Sequence, residues 1–279
     1  MPQLLDAIQF KNGPKIKNRF FLAPLTNQQS HEDGTLSNDE YKWLTMRAEG
    51  GFGMTMTCAS HVQEIGKGFP GQLGIWSDHH LDGLTRLANG IKKENSVAIV
   101  QLHHAGLRSP KEIINASPVT ASDNEDSGAR GLTTSEVKKL IDDFVAGAKR
   151  AEKAGFDGVE LHGAHSYILC NFLSAEVNQR TDEYGGSCEN RARILFEIIE
   201  GIKSTCRSDF ILGVRLTAEK FGMRTEDSIG TAKMLFDQNV IDFLDMSLWD
   251  VFKEAEDDKF KGQSLMSLFT DLDRRSVQL

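Results

Sequence analysis

The chain of 279 residues carries 32 Lys plus Arg against 40 Asp plus Glu, a formal charge of −8, with 39% hydrophobic and 26% charged residues. That balance argues against a nucleic-acid binder, whose affinity rests on basic side chains neutralising phosphates, and the composition is that of an ordinary globular protein rather than a disordered one. No run of 18 apolar residues occurs, and the opening MPQLLDAIQFKNG lacks a basic stretch followed by an apolar one, so neither a membrane helix nor a signal peptide is expected and the expected location is cytoplasmic.

In chain order, short apolar, β-prone runs occur at Phe20–Ala23, Phe52–Cys58, Val97–Leu102, Gly158–Leu161, Ile211–Leu216 and Asp242–Met246. Helical patterns fall between them. Thr133 and Glu136 form a capping box, Val137, Leu140, Ile141, Phe144, Val145 and Ala148 recur at helical spacing, and Gly155 suits the residue just past the end. Similar stripes run through Ala192, Leu195, Phe196, Ile199 and Ile202, and through Ile229, Ala232, Leu235 and Phe236, the last opened by Thr225-Glu226-Asp227. Alternating strands and helices, with nearly continuous apolar strands, indicate an α/β protein with a covered parallel sheet.

The long polar segments 103–132 and 162–188 follow strands, whereas helix-to-strand turns such as Ala154-Gly155-Phe156-Asp157 and Glu49-Gly50-Gly51 are short. Elaborated loops therefore gather at the carboxyl ends of the strands, where barrels and doubly wound sheets carry their sites. No G-x-G-x-x-G follows the first strand and no G-x-x-x-x-G-K-S/T occurs, which favours a (β/α)8 TIM barrel. About six of its strand–helix units are present, in a single domain over 1–279. Cys58, Cys170, Cys188 and Cys206 are far apart, with no C-x-x-C pair, and are expected to be reduced thiols.

Four strand ends carry unusual polar residues: NRFFLAPLT (18–26), QLHHAG (101–106), ELHGAHSYILCNFLSAEVNQRTDEYGGSCENRAR (160–193) and GVRL (213–216). Singly, Gln101 reads as a local hydrogen-bonding group, Arg215 as a salt-bridge partner, and His162 and His165 as loop ligands to backbone. Together at one barrel mouth they would need several buried partners, which points to a site. These stretches resemble the Old Yellow Enzyme family of FMN-dependent NAD(P)H:flavin oxidoreductases, in order and over essentially the whole chain. The segment around Arg180-Thr181-Asp182-Glu183-Tyr184-Gly185-Gly186-Ser187 is its most specific part, and a structural job is expected for it.

The resemblance implies that Ala23, Pro24, Leu25 and Thr26 run beside the isoalloxazine of FMN, with Ala59 offering a backbone N–H to the same edge. It implies that Gln101 reads the pyrimidine side and that Arg215 faces N1/O2, where a guanidinium suits the charge of reduced flavin. His162, also beside the cofactor, and His165 would bind the carbonyl oxygen of an enone-type substrate, and Tyr167 would protonate the carbon next to it after hydride transfer from flavin N5. NADH or NADPH would be the reductant. No metal, nucleic acid or membrane partner is expected, and a homo-oligomer stays open.

The pattern departs from the family at its end. Leu265–Thr270 and a possible start of a seventh strand at Ser276-Val277-Gln278-Leu279 follow the sixth strand, so the phosphate-gripping loops after strands seven and eight are expected to lie outside this sequence. A C-terminally incomplete barrel is the expectation. Three other readings stand beside it: a non-catalytic fragment or scaffold, a barrel hydrolase whose metal is held by His103, His104, His162 and His165, and a relative of the iron–sulfur dienoyl reductases. Against the metal stand the lack of H-E-x-x-H and of a carboxylate at comparable strand ends.

Overall fold

The apolar runs assemble into one parallel sheet in the computed structural model, which describes residues 3–279. Its strands are β1 (Phe21–Leu22), β2 (Met54–His61), β3 (Val97–His103), β4 (Gly158–Gly163), β5 (Ile211–Thr217) and β6 (Phe243–Ser247), each paired in parallel with the next. The connecting helices are α1 (Asn38–Glu49), α2 (Leu81–Lys93), α3 (Thr134–Lys153), α4 (Cys188–Thr205) and α5 (Thr225–Gln238). The Thr133/Glu136 capping box is present, satisfying two otherwise orphaned groups at the start of α3. Past the helix end, Gly155 has a φ of 90°, which only glycine adopts without strain.

Two aspartates set the strand starts. Asp157, just before β4, accepts from the amide of Ala98 on β3 at 3.0 Å, and Asp242, just before β6, accepts from Leu212 on β5 at 2.9 Å. Five strands run one to three residues further than their apolar runs, since ladder pairing continues through polar residues whose side chains face the sheet interior. In β2 the register slips between Met56 and Ala59, and this irregularity turns Ala59 and His61 toward Gln101 and His103. β1 is shorter than expected, with only Phe21 and Leu22 paired to β2.

The sheet curls. Phe10 lies with its ring 5.8 Å from Phe21 on the first strand and 5.5 Å from Phe243 on the last, so one N-terminal side chain touches both edges. These rings and Ile8, Ile16, Met54, Met56, Val97, Ile99 and Ile211 form an apolar floor inside the curl, while a larger core fills the space between sheet and helices. Gly213 makes room for that floor, because a Cβ there would fall 2.0 Å from the Phe243 ring. Among the described residues the sheet has six strands rather than eight, and its β1 and β6 edges are not paired to each other. The expected seventh strand is one parallel bridge between Gln278 and Phe243, and Ser267–Thr270 is a short helix.

The segment 103–132 holds two further short paired strands, Val119–Thr120 and Arg130–Gly131, for which the sequence carries no clear alternation. The Arg180 segment has its expected structural job. The Arg180 guanidinium donates to the carbonyls of Ala121 and Leu132 and to Asp182, tying three loops together, and Ser187 caps α4. All four cysteines are free, and burial pushes the Cys170 thiol up to about 12. No helix of the described residues is long and apolar enough to cross a membrane.

Candidate active site

Side chains alternate across a strand, so register decides which polar residues meet. Gln101 of β3 stands opposite Glu160 of β4, His162 stands opposite Arg215 of β5, Arg215 opposite Asp245 of β6, and Thr217 opposite Ser247. Above the apolar floor the interior thus carries two polar rows, Gln101 with Glu160 and then His103, His162, Arg215 and Asp245.

The lower row is buried. Gln101 donates from Nε2 to Glu160 Oε1 at 2.7 Å, and Glu160 Oε2 has no partner. Burial, reinforced by the nearby Asp245 carboxylate, pushes the Glu160 carboxyl up to about 8, against the pull of Arg215 and of the Gln101 hydrogen bond. Arg215 Nε lies 3.4 Å from Asp245 Oδ2 without hydrogen-bond geometry, which leaves both atoms unsatisfied, and burial raises Asp245 as well. One guanidinium faces two carboxyls. The sequence-based expectation of no carboxylate at these strand ends is corrected here: Glu160 and Asp245 sit inside apolar runs, and only the register shows that they point inward.

Burial keeps the histidines neutral, and His162 and His103 have defined tautomers. Burial holds His103 and His162 well below the usual imidazole range and His165 near 4. His162 Nδ1 accepts from the Ala164 amide at 3.3 Å, which leaves the proton on Nε2. Gln72, whose carbonyl oxygen is taken by the Gly68 amide at 2.6 Å, donates to His103 Nδ1 at 3.0 Å, so His103 also carries its proton on Nε2, buried and without an acceptor. His165 Nε2 meets Ser247 Oγ at 2.5 Å. The left-handed backbone at His165 and Ser166, each with φ 59°, swings this loop over the mouth, where Thr217 Oγ1 accepts the His165 amide and Arg108 donates to its carbonyl.

Tyr167 begins the short helix Ile168–Leu173 and stands edge-on to His103 and His162, with ring centroids 4.3 and 4.9 Å apart, beneath the Arg108 guanidinium. Its hydroxyl has no hydrogen-bond partner among the described residues. The strand ends thus bring His162, His165, Tyr167 and Arg215 to one mouth above Gln101, with Ala59 beside Gln101 in register. Ala23, Leu25 and Thr26 are exposed and Pro24 half-buried beyond β1. Ala23 lines, with Arg19, Met56, Asp245 and Trp249, a cavity of about 530 Å³ between β1 and β6 that does not take in Gln101, His162 or Tyr167. His104 points elsewhere, bonded to Gln63 and to the Gly106 amide, and among the described residues no three His, Cys, Asp or Glu side chains converge as a metal site.

Gln72, Arg108, Thr217 and Ser247 join the site only through the structure. Each holds another site residue in place, and none has a sequence signal of its own.

Comparison with known proteins gives one answer. Residues 3–267 match the NADH:flavin oxidoreductase / NADH oxidase family. The probable NADH-dependent flavin oxidoreductase YqiG of Bacillus subtilis is 37% identical over 263 residues, covering 90% of this chain and 70% of that protein. The NADPH dehydrogenase of Bacillus velezensis is 40% identical over 237 residues, covering 83% of this chain and 69% of that protein. Among solved structures, the old yellow enzyme homologue from Zymomonas mobilis superimposes with a TM-score of 0.81 at 32% identity, covering 88% of this chain and 73% of that one. Morphinone reductase in complex with tetrahydroNAD gives 0.82 at 25% identity, covering 100% and 86%. The chain therefore belongs to the NADH:flavin oxidoreductase / NADH oxidase family, as an FMN- and NAD(P)H-dependent oxidoreductase of the Old Yellow Enzyme type.

Proposed function

We propose that this mouth reduces the C=C bond of α,β-unsaturated carbonyl compounds, with His162 and His165 binding the carbonyl oxygen and Tyr167 supplying the proton. The observation that carries the reading is the placement of Tyr167, whose hydroxyl is unspent, against two neutral imidazoles, one of which presents Nε2–H. The residues fit a flavin ring. Arg215 Nε is buried and unsatisfied among the described residues, and Gln101 has committed only one amide hydrogen, so a guanidinium and an amide remain for the pyrimidine edge, beside Ala59. The chemistry FMN supplies when bound is hydride exchange between a nicotinamide and an activated alkene.

This chain's own groups do the rest. Neutral imidazole N–H groups favour the substrate oxygen more as negative charge develops on it, and the fixed tautomer of His162 spares the cost of reorienting it. His165 is held to that task by Ser247 and by its strained backbone. A phenol is protonated at neutral pH and can deliver to the carbanion-like carbon. Tyr167→Phe tests the assignment. In the flavin-loaded protein, reduction by NAD(P)H should remain nearly intact, while reoxidation by cyclohexenone in stopped flow should slow about 10²–10⁴-fold, the usual share of a positioned acid. Reoxidation at the parent rate would show that Tyr167 is not the donor.

A further inference from the structure

The lower row contains a group that the reaction as described does not use. Glu160 is fully buried on β4, one register step below His162, and among the described residues the only hydrogen-bond partner of its carboxyl is the side chain of Gln101. A buried carboxyl without a task is costly, and an apolar residue of similar size on this strand would pack against the floor of methionine, isoleucine and phenylalanine at no such cost. What the carboxyl does locally is definite. By accepting from Nε2 it fixes both the rotamer of Gln101 and the sense of its amide, placing the nitrogen toward β4 and leaving the carbonyl oxygen and the second N–H toward the mouth.

We propose that Glu160 is a positioning residue for the cofactor's pyrimidine edge, acting through Gln101 by fixing which way its amide faces. The inference rests on the reading of Gln101 as a flavin contact. Ionised, Glu160 can only accept from Gln101, and with its proton on Oε2, which has no partner among the described residues, it still accepts at Oε1. A glutamine at 160 retains an acceptor, and a methionine of similar length does not.

Two measurements test this. Riboflavin, which lacks the phosphate, reports on the ring contacts alone, and its dissociation constant can be read by fluorescence quenching. Glu160→Met should weaken it about tenfold, the effect of losing the geometry of one buried hydrogen bond, and Glu160→Gln should stay within about threefold of the parent. In a Gln101→Leu background Glu160→Met should add nothing. A further loss there, or a Glu160→Gln variant as weak as Glu160→Met, overturns the positioning role. Gln101→Leu that leaves riboflavin affinity unchanged refutes instead the assignment of Gln101 to the flavin.

The second measurement needs no ligand. In the free protein the side-chain amide of Gln101 should give a single, slowly exchanging ¹⁵N–¹H pair, identified by its absence in Gln101→Leu, and Glu160→Met should shift it and speed its exchange. An amide that exchanges freely in the parent, or is unmoved in Glu160→Met, refutes the proposal even where the substitution alters stability.

Discussion

Buried histidines make stability depend on pH in a direction the structure fixes. Burial holds His61 and His165 near 4 and His104 near 3, pushes His103 and His162 well below the usual range, and lowers His80 as well. An unfolded histidine titrates near 6.5, so between that value and the folded one unfolding takes up protons, and stability falls as pH falls. From pH 7 to pH 6 each of the five held near 4 or lower contributes a loss of about 1 kcal/mol or a little less, about 3 kcal/mol together, and His80 acts in the same direction. Glu160 opposes them. Its carboxyl, raised to about 8, keeps its proton in the folded state and loses it on unfolding, so it restores about 1 kcal/mol over the same interval. The net expectation is a fall of about 2 kcal/mol for the parent and about 3 kcal/mol for Glu160→Gln, against a total stability typically of roughly 5–15 kcal/mol. Urea unfolding followed by circular dichroism at pH 7.0, 6.5 and 6.0, on both proteins without flavin, measures it. Equal slopes would contradict the raised Glu160 carboxyl. A flat profile in Glu160→Gln would contradict the neutral imidazoles and, with them, the Nε2–H assignment of His162.

Replacing His162 or His165 by Ala should slow cyclohexenone turnover by roughly 10²–10³ and weaken binding of carbonyl ligands, with flavin reduction by NAD(P)H less affected; equal loss in both half-reactions would mean that the substitution disturbs the flavin rather than the oxyanion. Arg180→Ala should destabilise the fold by about 3 kcal/mol, because it removes the ion-pair partner of Asp182, which keeps only Thr134 and the Tyr184 amide, and takes the guanidinium from two loop carbonyls, and Lys should recover little of a planar, multidentate contact. Chemical unfolding decides this, and a loss under about 1 kcal/mol would show that the loop holds without it.

The sheet order was legible because parallel strands covered on both faces read as unbroken apolar runs, and the helices because capping and periodicity agree, as at Thr133 and Glu136. Strand ends were less so. Polar residues such as His103, His162 and Thr217 look like loop in a one-dimensional pattern, yet they continue the ladder because their side chains enter a curled interior. The histidines, Tyr167, Gln101 and Arg215 stood out by residue type and by resemblance. Glu160 and Asp245 did not, since a carboxyl inside an apolar run announces nothing until register puts Glu160 opposite Gln101 and Asp245 opposite Arg215. The irregularity that turns Ala59 inward is a backbone event with no residue-level signal.

The two interior layers divide the work of folding and function. The floor is wholly apolar, and its rings interlock around Phe10 and Phe243. Directly above it, His103 Nε2, Glu160 Oε2, Arg215 Nε and Asp245 Oδ2 are buried without partners, at a cost of about 1–3 kcal/mol for each unsatisfied group. Sequences shaped by stability alone remove such groups, because apolar replacements of equal volume are tolerated. Their concentration in two adjacent rows, at the strand ends where loops are longest, is what a preorganised polar surface requires: donors and acceptors held rigid before anything arrives to use them. It follows that ligands matching these groups stabilise the fold beyond simple occupancy of space. A planar heterocycle offering acceptors to Arg215 and both donor and acceptor to Gln101 meets the condition at Arg215 Nε, and a purely aromatic ring of the same area, which leaves all four atoms unsatisfied, does not.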